Sequence, residues 1–191
     1  MEILLETERL RLRRFTLADA DHLFVLDNDP EVMRYLNGGV PTPRHVVEEA
    51  ILPGFMQVDP ARPAFGFWAA ELKATAEFVG WFSLRPLPEN LHHAALGYRL
   101  VRAFWGRGLA SEGVRALIHK GFTELGLARV VATTYEHNLA SRRVMEKVGM
   151  SLVRRFRLTV EDLQETDTFH TDEVELWDGD DVEYATDSYV N

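Results

Sequence analysis

Polar and apolar residues alternate along Glu8-Arg9-Leu10-Arg11-Leu12-Arg13, the period of a half-buried strand. Past Thr16, an N-cap with Asp19 three residues on, the period lengthens, and Ala18, Leu23 and Leu26 predict a short helix. Asp29-Pro30-Glu31 opens a second helix with Pro30 in its first turn and Val32, Met33 and Leu36 inside; Gly38-Gly39 closes it. A third helical stretch is expected over Arg44 to Ile51, interrupted by Pro53-Gly54. Two aromatic-rich runs, Phe65 to Glu71 and Phe78 to Leu84, then predict an antiparallel hairpin. Pro86, Pro88 and Asn90 mark a loop, followed by a strand at Leu96-Gly97-Tyr98-Arg99-Leu100-Val101.

The second half keeps a regular order. Trp105-Gly106-Arg107-Gly108-Leu109-Ala110 is a glycine turn opening into a helix whose apolar face is Ala110, Val114, Leu117, Ile118, Gly121 and Leu125, with Gly126 as its stop. The β-branched run Val130 to Thr134 is a strand, and a helix follows from the N-cap Asn138 to Gly149. Strands are expected from Met150 and at Val182-Glu183-Tyr184-Ala185. Glu161 to Asp180 is acidic and irregular, with an extra strand suggested at Val174 to Trp177.

Composition narrows the chemistry. With 191 residues and 46% hydrophobic content, the expectation is one domain, residues 1–191, around one filled core. The absence of cysteine removes disulfides, thiolate metal ligands and a cysteine nucleophile. The acidic start, Met1 to Glu6, lacks the basic region of a signal peptide, and no apolar run approaches a membrane span, so a cytoplasmic location without membrane contact is expected. The net charge of −9 is unevenly spread: twelve of the 30 acids lie from Glu161 to Asp187, and no Lys or Arg follows Arg157. Residues 1–157 thus carry 18 acids against 21 bases, a mildly basic body beside an acidic extension at about 161–181. A basic body suits a phosphate-rich ligand and an acidic flank a cationic one, although a solvated acidic surface explains the flank equally. No basic stripe with interleaved aromatics exists, so nucleic acid is not an expected partner. Neighbours His92 and His93 would point to opposite faces of a strand, which argues against a shared metal.

The glycine turn carries the sharpest chemical signal. Gly106 and Gly108 let an anion approach the backbone, Ala110 keeps the first helical turn bare, and Arg107 and Arg102 add charge. No Gly-Lys-Ser/Thr follows, so this is not a P-loop. The segment Gly97 to Met150 resembles the acetyl-CoA site of the GNAT superfamily of N-acetyltransferases, and most closely its RimJ/RimL branch. That family's Arg/Gln-x-x-Gly-x-Gly/Ala turn is matched by Trp105 to Ala110, with Trp105 in the usual Arg/Gln place, and its second signature by Asn138 to Met150. Glu6 to Arg13 and Asp29 to Met33 resemble the same branch.

The resemblance implies a mixed α/β GNAT fold: a mostly antiparallel twisted sheet of about seven strands, a V-shaped splay between the fourth and fifth, and about four flanking helices. It implies a CoA-binding core over about 94–150, in which Leu100, Val101, Arg102, Trp105, Gly106, Arg107, Gly108, Leu109, Ala110, Ser111, Asn138, Ser141 and Met145 hold the cosubstrate. Backbone groups around Leu100 and Val101 would pair with pantetheine as a false strand, and no metal is implied. The activity implied is acetyl transfer from acetyl-CoA to a primary amine by direct attack. The acceptor is a protein N-terminal α-amine or a small-molecule amine, and a homodimer is left open. The family's acidic Tyr is replaced by Met145, which leaves Ser141 as the hydroxyl on that helix, and its strand acid by Ala95. Glu136 is then the first candidate base, acting through water, ahead of His137 and of Glu175 or Glu183. The alternative is a catalytically silent acyl-CoA-binding or interaction module of the same fold.

Overall fold

The computed structural model describes residues 2–157 and 179–188. Among the described residues eight strands form one sheet in the order β1-β2-β3-β4-β5-β6-β8-β7. They are β1 (Ile3–Glu6), β2 (Leu10–Arg13), β3 (Gly66–Leu72), β4 (Phe78–Leu87), β5 (Asn90–Leu100), β6 (Arg129–Tyr135), β7 (Ser151–Phe156) and β8 (Asp181–Asp187). Every neighbouring pair is antiparallel except β5 and β6, which run parallel. The expected mixed α/β sheet is present, with β1 as an additional edge strand that the acidic N-terminus did not signal.

Two helical layers cover the sheet because β3 and β4 are apolar on both faces. Trp68, Ala70 and Phe82 turn to one side, where α5 (Leu109–Thr123) and α6 (Leu139–Lys147) lie; Phe67, Ala69 and Trp81 turn to the other. That second face is covered by α1 (Ala20–Asp27), α2 (Pro30–Asn37), α3 (Arg44–Val46) and α4 (Leu52–Met56), through Leu23, Leu26, Val32, Leu52 and Phe55. The stop and start signals act as expected. Thr16 and Asp19 form a reciprocal capping box, Asp29 accepts from the Glu31 N–H, and Gly38 ends α2 at φ +77.

Two expectations are corrected. Helix does not break at Pro53: a π-turn over Val47–Ile51 joins α3 to α4. Pro53 has no N–H to give the preceding turn, and the wider i→i+5 turn before it lets the chain continue. Likewise the expected loop at 86–90 is a tight hairpin, with β4 running to Leu87 and β5 starting at Asn90. Pro86 is tolerated because the register shifts immediately after it. The suggested strand at Val174 to Trp177 lies outside the described residues.

Candidate active site

The sheet opens where the cosubstrate was expected. Strands β5 and β6 pair only at His93, Ala94 and Ala95 against Arg129, Val130 and Val131. Beyond that point β5 continues to Leu100 and β6 to Tyr135 without pairing, which makes a splay between the strands expected as fourth and fifth. In the antiparallel ladder with β4, the Val101 N–H donates to Val79 O at 2.9 Å. By alternation, Leu96, Tyr98 and Leu100 therefore aim their backbone groups away from β4, into the splay. Of the two residues expected to meet pantetheine, Val101 has its N–H engaged on the far side. The Leu100 carbonyl accepts from the Trp105 indole Nε1 at 2.8 Å. The amides facing the gap are thus those of Tyr98 and Leu100: Leu100 keeps its expected place and Tyr98 takes that of Val101.

A 3₁₀ turn, Arg102–Phe104, carries the chain from β5 into the glycine turn. Gly106 and Gly108 have φ of +71 and +77, a conformation that side chains disfavour. Among the described residues a Cβ at Gly106 would meet nothing within 4 Å, and one at Gly108 would meet only Arg9 Nη2 at 3.6 Å, so the turn is open above Gly106. Gly108 is the N-cap of α5, and among the described residues no side chain caps that helix start. The N–H groups of Leu109, Ala110 and Ser111 therefore lack intrahelical or capping partners, and the helix dipole adds positive potential there. Leu109 is buried, while the Arg107 guanidinium lies over the Phe104 ring. Arg102 pairs with Asp29 at 3.0 Å, so its charge leans toward α2 rather than the turn.

A clamp from the N-terminus fixes this turn, and sequence reasoning missed it. Arg9 Nε donates to Glu112 at 2.6 Å, its backbone N–H to the same carboxylate at 2.9 Å, and its Nη1 to the Arg107 carbonyl at 2.9 Å. Thr7 donates to Glu112 as well. Burial pushes the Glu112 carboxyl up, but the hydrogen bonds from Thr7 and Arg9 outweigh it and hold the group below its ordinary value. The ionised hub ties the β1–β2 turn to the first turn of α5. A cavity of about 500 Å³ bordered by Arg9, Lys73 and Arg107 lies beside it.

Across the splay stands the start of α6. Asn138 Oδ1 accepts the Ser141 N–H at 3.2 Å, and its amide donates to Thr134 at 3.1 Å, so the N-cap also ties helix to strand. Ser141 Oγ lies 2.9 Å from the Tyr98 hydroxyl, which crosses from β5. Burial pushes that hydroxyl up to about 12, so it stays neutral. Met145, in place of the family's Tyr, is 1% exposed and packed in the core.

The strand-end carboxylates differ in basicity. Glu136 accepts from Arg155 at 2.7 Å and from the Asp180 N–H at 3.2 Å; the latter bond, with the charges of His137, Arg155 and Arg142, holds it below its ordinary value. Asp181 is the opposite case. Burial, then repulsion from Asp180 and Glu136, pushes its carboxyl up to about 6. Asp181 is the register partner of Tyr135, whose ring lies 5.9 Å from that of Tyr35 in α2. His137 stands edge-on to Tyr135, and Glu183 is paired with Arg154 at 3.0 Å. Glu175 lies outside the described residues. No cluster of metal-ligating side chains occurs among the described residues, and no helix among them is long and apolar enough to cross a membrane.

The likeness to known proteins agrees with this geometry. Residues 9–151 match the family model described as Acetyltransferase (GNAT) domain. The FsC-acetyl coenzyme A-N(2)-transacetylase of Aspergillus fumigatus is 37% identical over 80% of this chain and 66% of its own length. The uncharacterized protein YkkB of Bacillus subtilis is 36% identical over 80% of this chain and 88% of its own. Among solved structures, a GNAT-family acetyltransferase from Bacillus anthracis superposes with a TM-score of 0.75 at 25% identity, covering 98% of this chain and 99% of that one. The RimL ribosomal L7/L12 α-N-protein acetyltransferase in complex with coenzyme A gives a TM-score of 0.75 over 97% and 98% of the chains; at 19% identity this likeness shows the fold alone. A splayed parallel strand pair, a glycine turn heading an uncapped helix and a family match over 9–151 converge: the chain belongs to the GNAT family of acetyltransferases.

Proposed function

We propose that the protein transfers an acetyl group from acetyl-CoA to a primary amine by direct attack, both substrates being held together. The observation that carries the reading is the open glycine turn at the uncapped start of α5, set at the mouth of the β5–β6 splay. The N–H groups of Leu109, Ala110 and Ser111 would hold the diphosphate, with Arg107 beside them. The backbone of Tyr98 and Leu100 would hydrogen-bond the pantetheine amides, and one of these N–H groups would stabilise the oxyanion that develops on the thioester carbonyl.

Ser141 would donate a hydrogen bond to the departing sulfur. The amine must lose a proton, and the acidic end of the sheet is suited to take it through water. Glu136, held acidic by its donors, attracts an ammonium group by charge; Asp181, pushed up to about 6, is the stronger base. The Aspergillus fumigatus relative is by its name an N(2)-transacetylase, which supports an amine nitrogen as the acceptor; a small-molecule amine and a protein N-terminal α-amine both supply one. The domain is read as one catalytic unit over residues 1–191.

The test is a thiol-release assay with acetyl-CoA across small amines, polyamines and peptides with free N-termini. Turnover on any amine supports transfer, and the preferred class names the acceptor. Binding of CoA without turnover on the whole panel would overturn transfer in favour of a silent acyl-CoA-binding module.

A further inference from the structure

Tyr98 was expected only as a strand residue, yet its side chain bridges the splay to the start of α6. Its place follows from the two-residue period: with Leu96 and Leu100 it faces α5 and α6, while Gly97 and Arg99 face the other layer. Its ring packs 6.2 Å from that of Phe82, and its hydroxyl ends 2.9 Å from Ser141 Oγ and 3.2 Å from the Ser141 carbonyl. Ser141 has no other side-chain hydrogen bond among the described residues, and its N–H is held by Asn138.

Two proton arrangements fit this geometry. In one, Ser141 donates to Tyr98 and Tyr98 donates to the Ser141 carbonyl, so the serine proton is occupied. In the other, Tyr98 donates to Ser141 Oγ, and the serine has its single proton free. Negative charge beyond Ser141 selects the second, because both O–H dipoles then point along one line toward the charge. We propose that Tyr98 is a positioning residue that donates to Ser141 Oγ and so directs the serine proton to the sulfur leaving the thioester. The inference rests on the reading of Ser141 given above.

The chemistry balances without a proton leaving either hydroxyl. The C–N bond forms and the C–S bond breaks, the amine proton goes to the base, and sulfur leaves as a thiolate carrying the electron pair. An alcohol, or a phenol raised by burial, is a weaker acid than an alkyl thiol, so the hydroxyls give hydrogen bonds and keep their protons. A tyrosine held neutral over the working pH range is a constant donor for this purpose.

CoA itself is the probe, which removes any dependence on the acceptor. The thiol of CoA bound to the full chain is titrated by thiolate ultraviolet absorbance from about pH 6 to 9.5, the free protein being subtracted, for wild type, Tyr98→Phe, Ser141→Ala and the double variant; calorimetry at pH 6 reports CoA affinity. The phenylalanine keeps the ring packing, and retained affinity at pH 6 shows an intact site. The expected result is a bound thiol more acidic in wild type than in free solution. Each single variant should move it up by about half to one pH unit, and the double variant should move it no further than Ser141→Ala. A shift in Ser141→Ala with none in Tyr98→Phe overturns the role of Tyr98 alone. So does a double variant shifted well beyond Ser141→Ala, since Tyr98 would then act without the serine. No shift in either single variant overturns Ser141 as the sulfur's donor, and this inference with it. Absence of CoA binding in wild type overturns the proposed function.

Discussion

The Trp105 indole N–H donates to the Leu100 carbonyl at 2.8 Å, tying the glycine turn back to the last residue of β5. Trp105 takes the place where the family pattern has Arg or Gln, and it serves as a strut rather than a charge. The bond sets the distance between two parts of the cosubstrate site, the strand edge and the turn. Trp105→Phe should weaken CoA binding roughly five- to tenfold and cost about 1 kcal/mol of stability, as expected for one lost hydrogen bond at a half-exposed site. Calorimetric titration with CoA and urea unfolding check the two effects separately.

Gly108 heads α5 at φ +77, and a side chain there would add strain and cover the helix N-terminus. At about 100 Kd of CoA the wild type should gain about 2.7 kcal/mol, raising its melting temperature by about 6–10 °C. Gly108→Glu should abolish that rise, because its carboxylate repels the diphosphate at the position that would hold it. Thermal shift with and without CoA decides. A protected Gly108→Glu variant would place the diphosphate elsewhere.

Arg99 and Asp27 form an ion pair whose side chains are 6% and 1% exposed. Asp27 Oδ2 and Arg99 Nε have no hydrogen-bond partner among the described residues, and the guanidinium lies 5.2 Å from the Trp81 ring centroid. Removing one member leaves a buried charge, so Asp27→Ala should cost about 3–5 kcal/mol. The double variant Asp27→Leu/Arg99→Met should recover most of that loss, since a matched apolar pair has no desolvation penalty. Equilibrium unfolding in urea is the measurement.

Asp181 gives the clearest pH dependence. Its folded carboxyl sits at about 6 against an ordinary 3.8, so over that interval the folded chain binds a proton that the unfolded chain releases. Stability from this group therefore falls as pH rises from 3.8 to about 6 and stays lowered above. Asp181→Asn should stabilise by about 1 kcal/mol at pH 7, after allowance for its partial exposure, and the gain should vanish below about pH 4. Melting temperatures of both proteins across pH 3.5–8 test the sign. If Asp181 is also the base, the variant should lose activity while gaining stability.

Gly113 lies where α5 crosses the sheet. A Cβ there would sit 2.4 Å from Phe82 Cζ, although the helix itself would accept alanine readily. Gly113→Ala should therefore destabilise by about 1–3 kcal/mol, against the helix-propensity gain of about 1 kcal/mol. Thermal unfolding decides between local propensity and packing.

Periodicity, caps and turn residues are local, and the sequence alone determined what depends on them. The strand–turn–helix order around Gly106 and Gly108, the Thr16–Asp19 and Asn138 caps and the two-residue alternation of β2 were legible because short-range sterics and hydrogen bonds decide them. Two motifs in order carried the family. Relations between residues far apart in sequence were decided only by the tertiary structure. Arg9 reaches Glu112 and Arg107 because the sheet brings the β1–β2 turn beside the start of α5. Tyr98 reaches Ser141 because β5 and β6 diverge while α6 folds back across the gap. The π-turn carrying helix past Pro53 and the opposed basicities of Glu136 and Asp181 depend likewise on packing and desolvation. Nearest neighbours set the elements of the chain, but burial and long-range contact set the direction and charge of its side chains, and no pattern of adjacent residues encodes those.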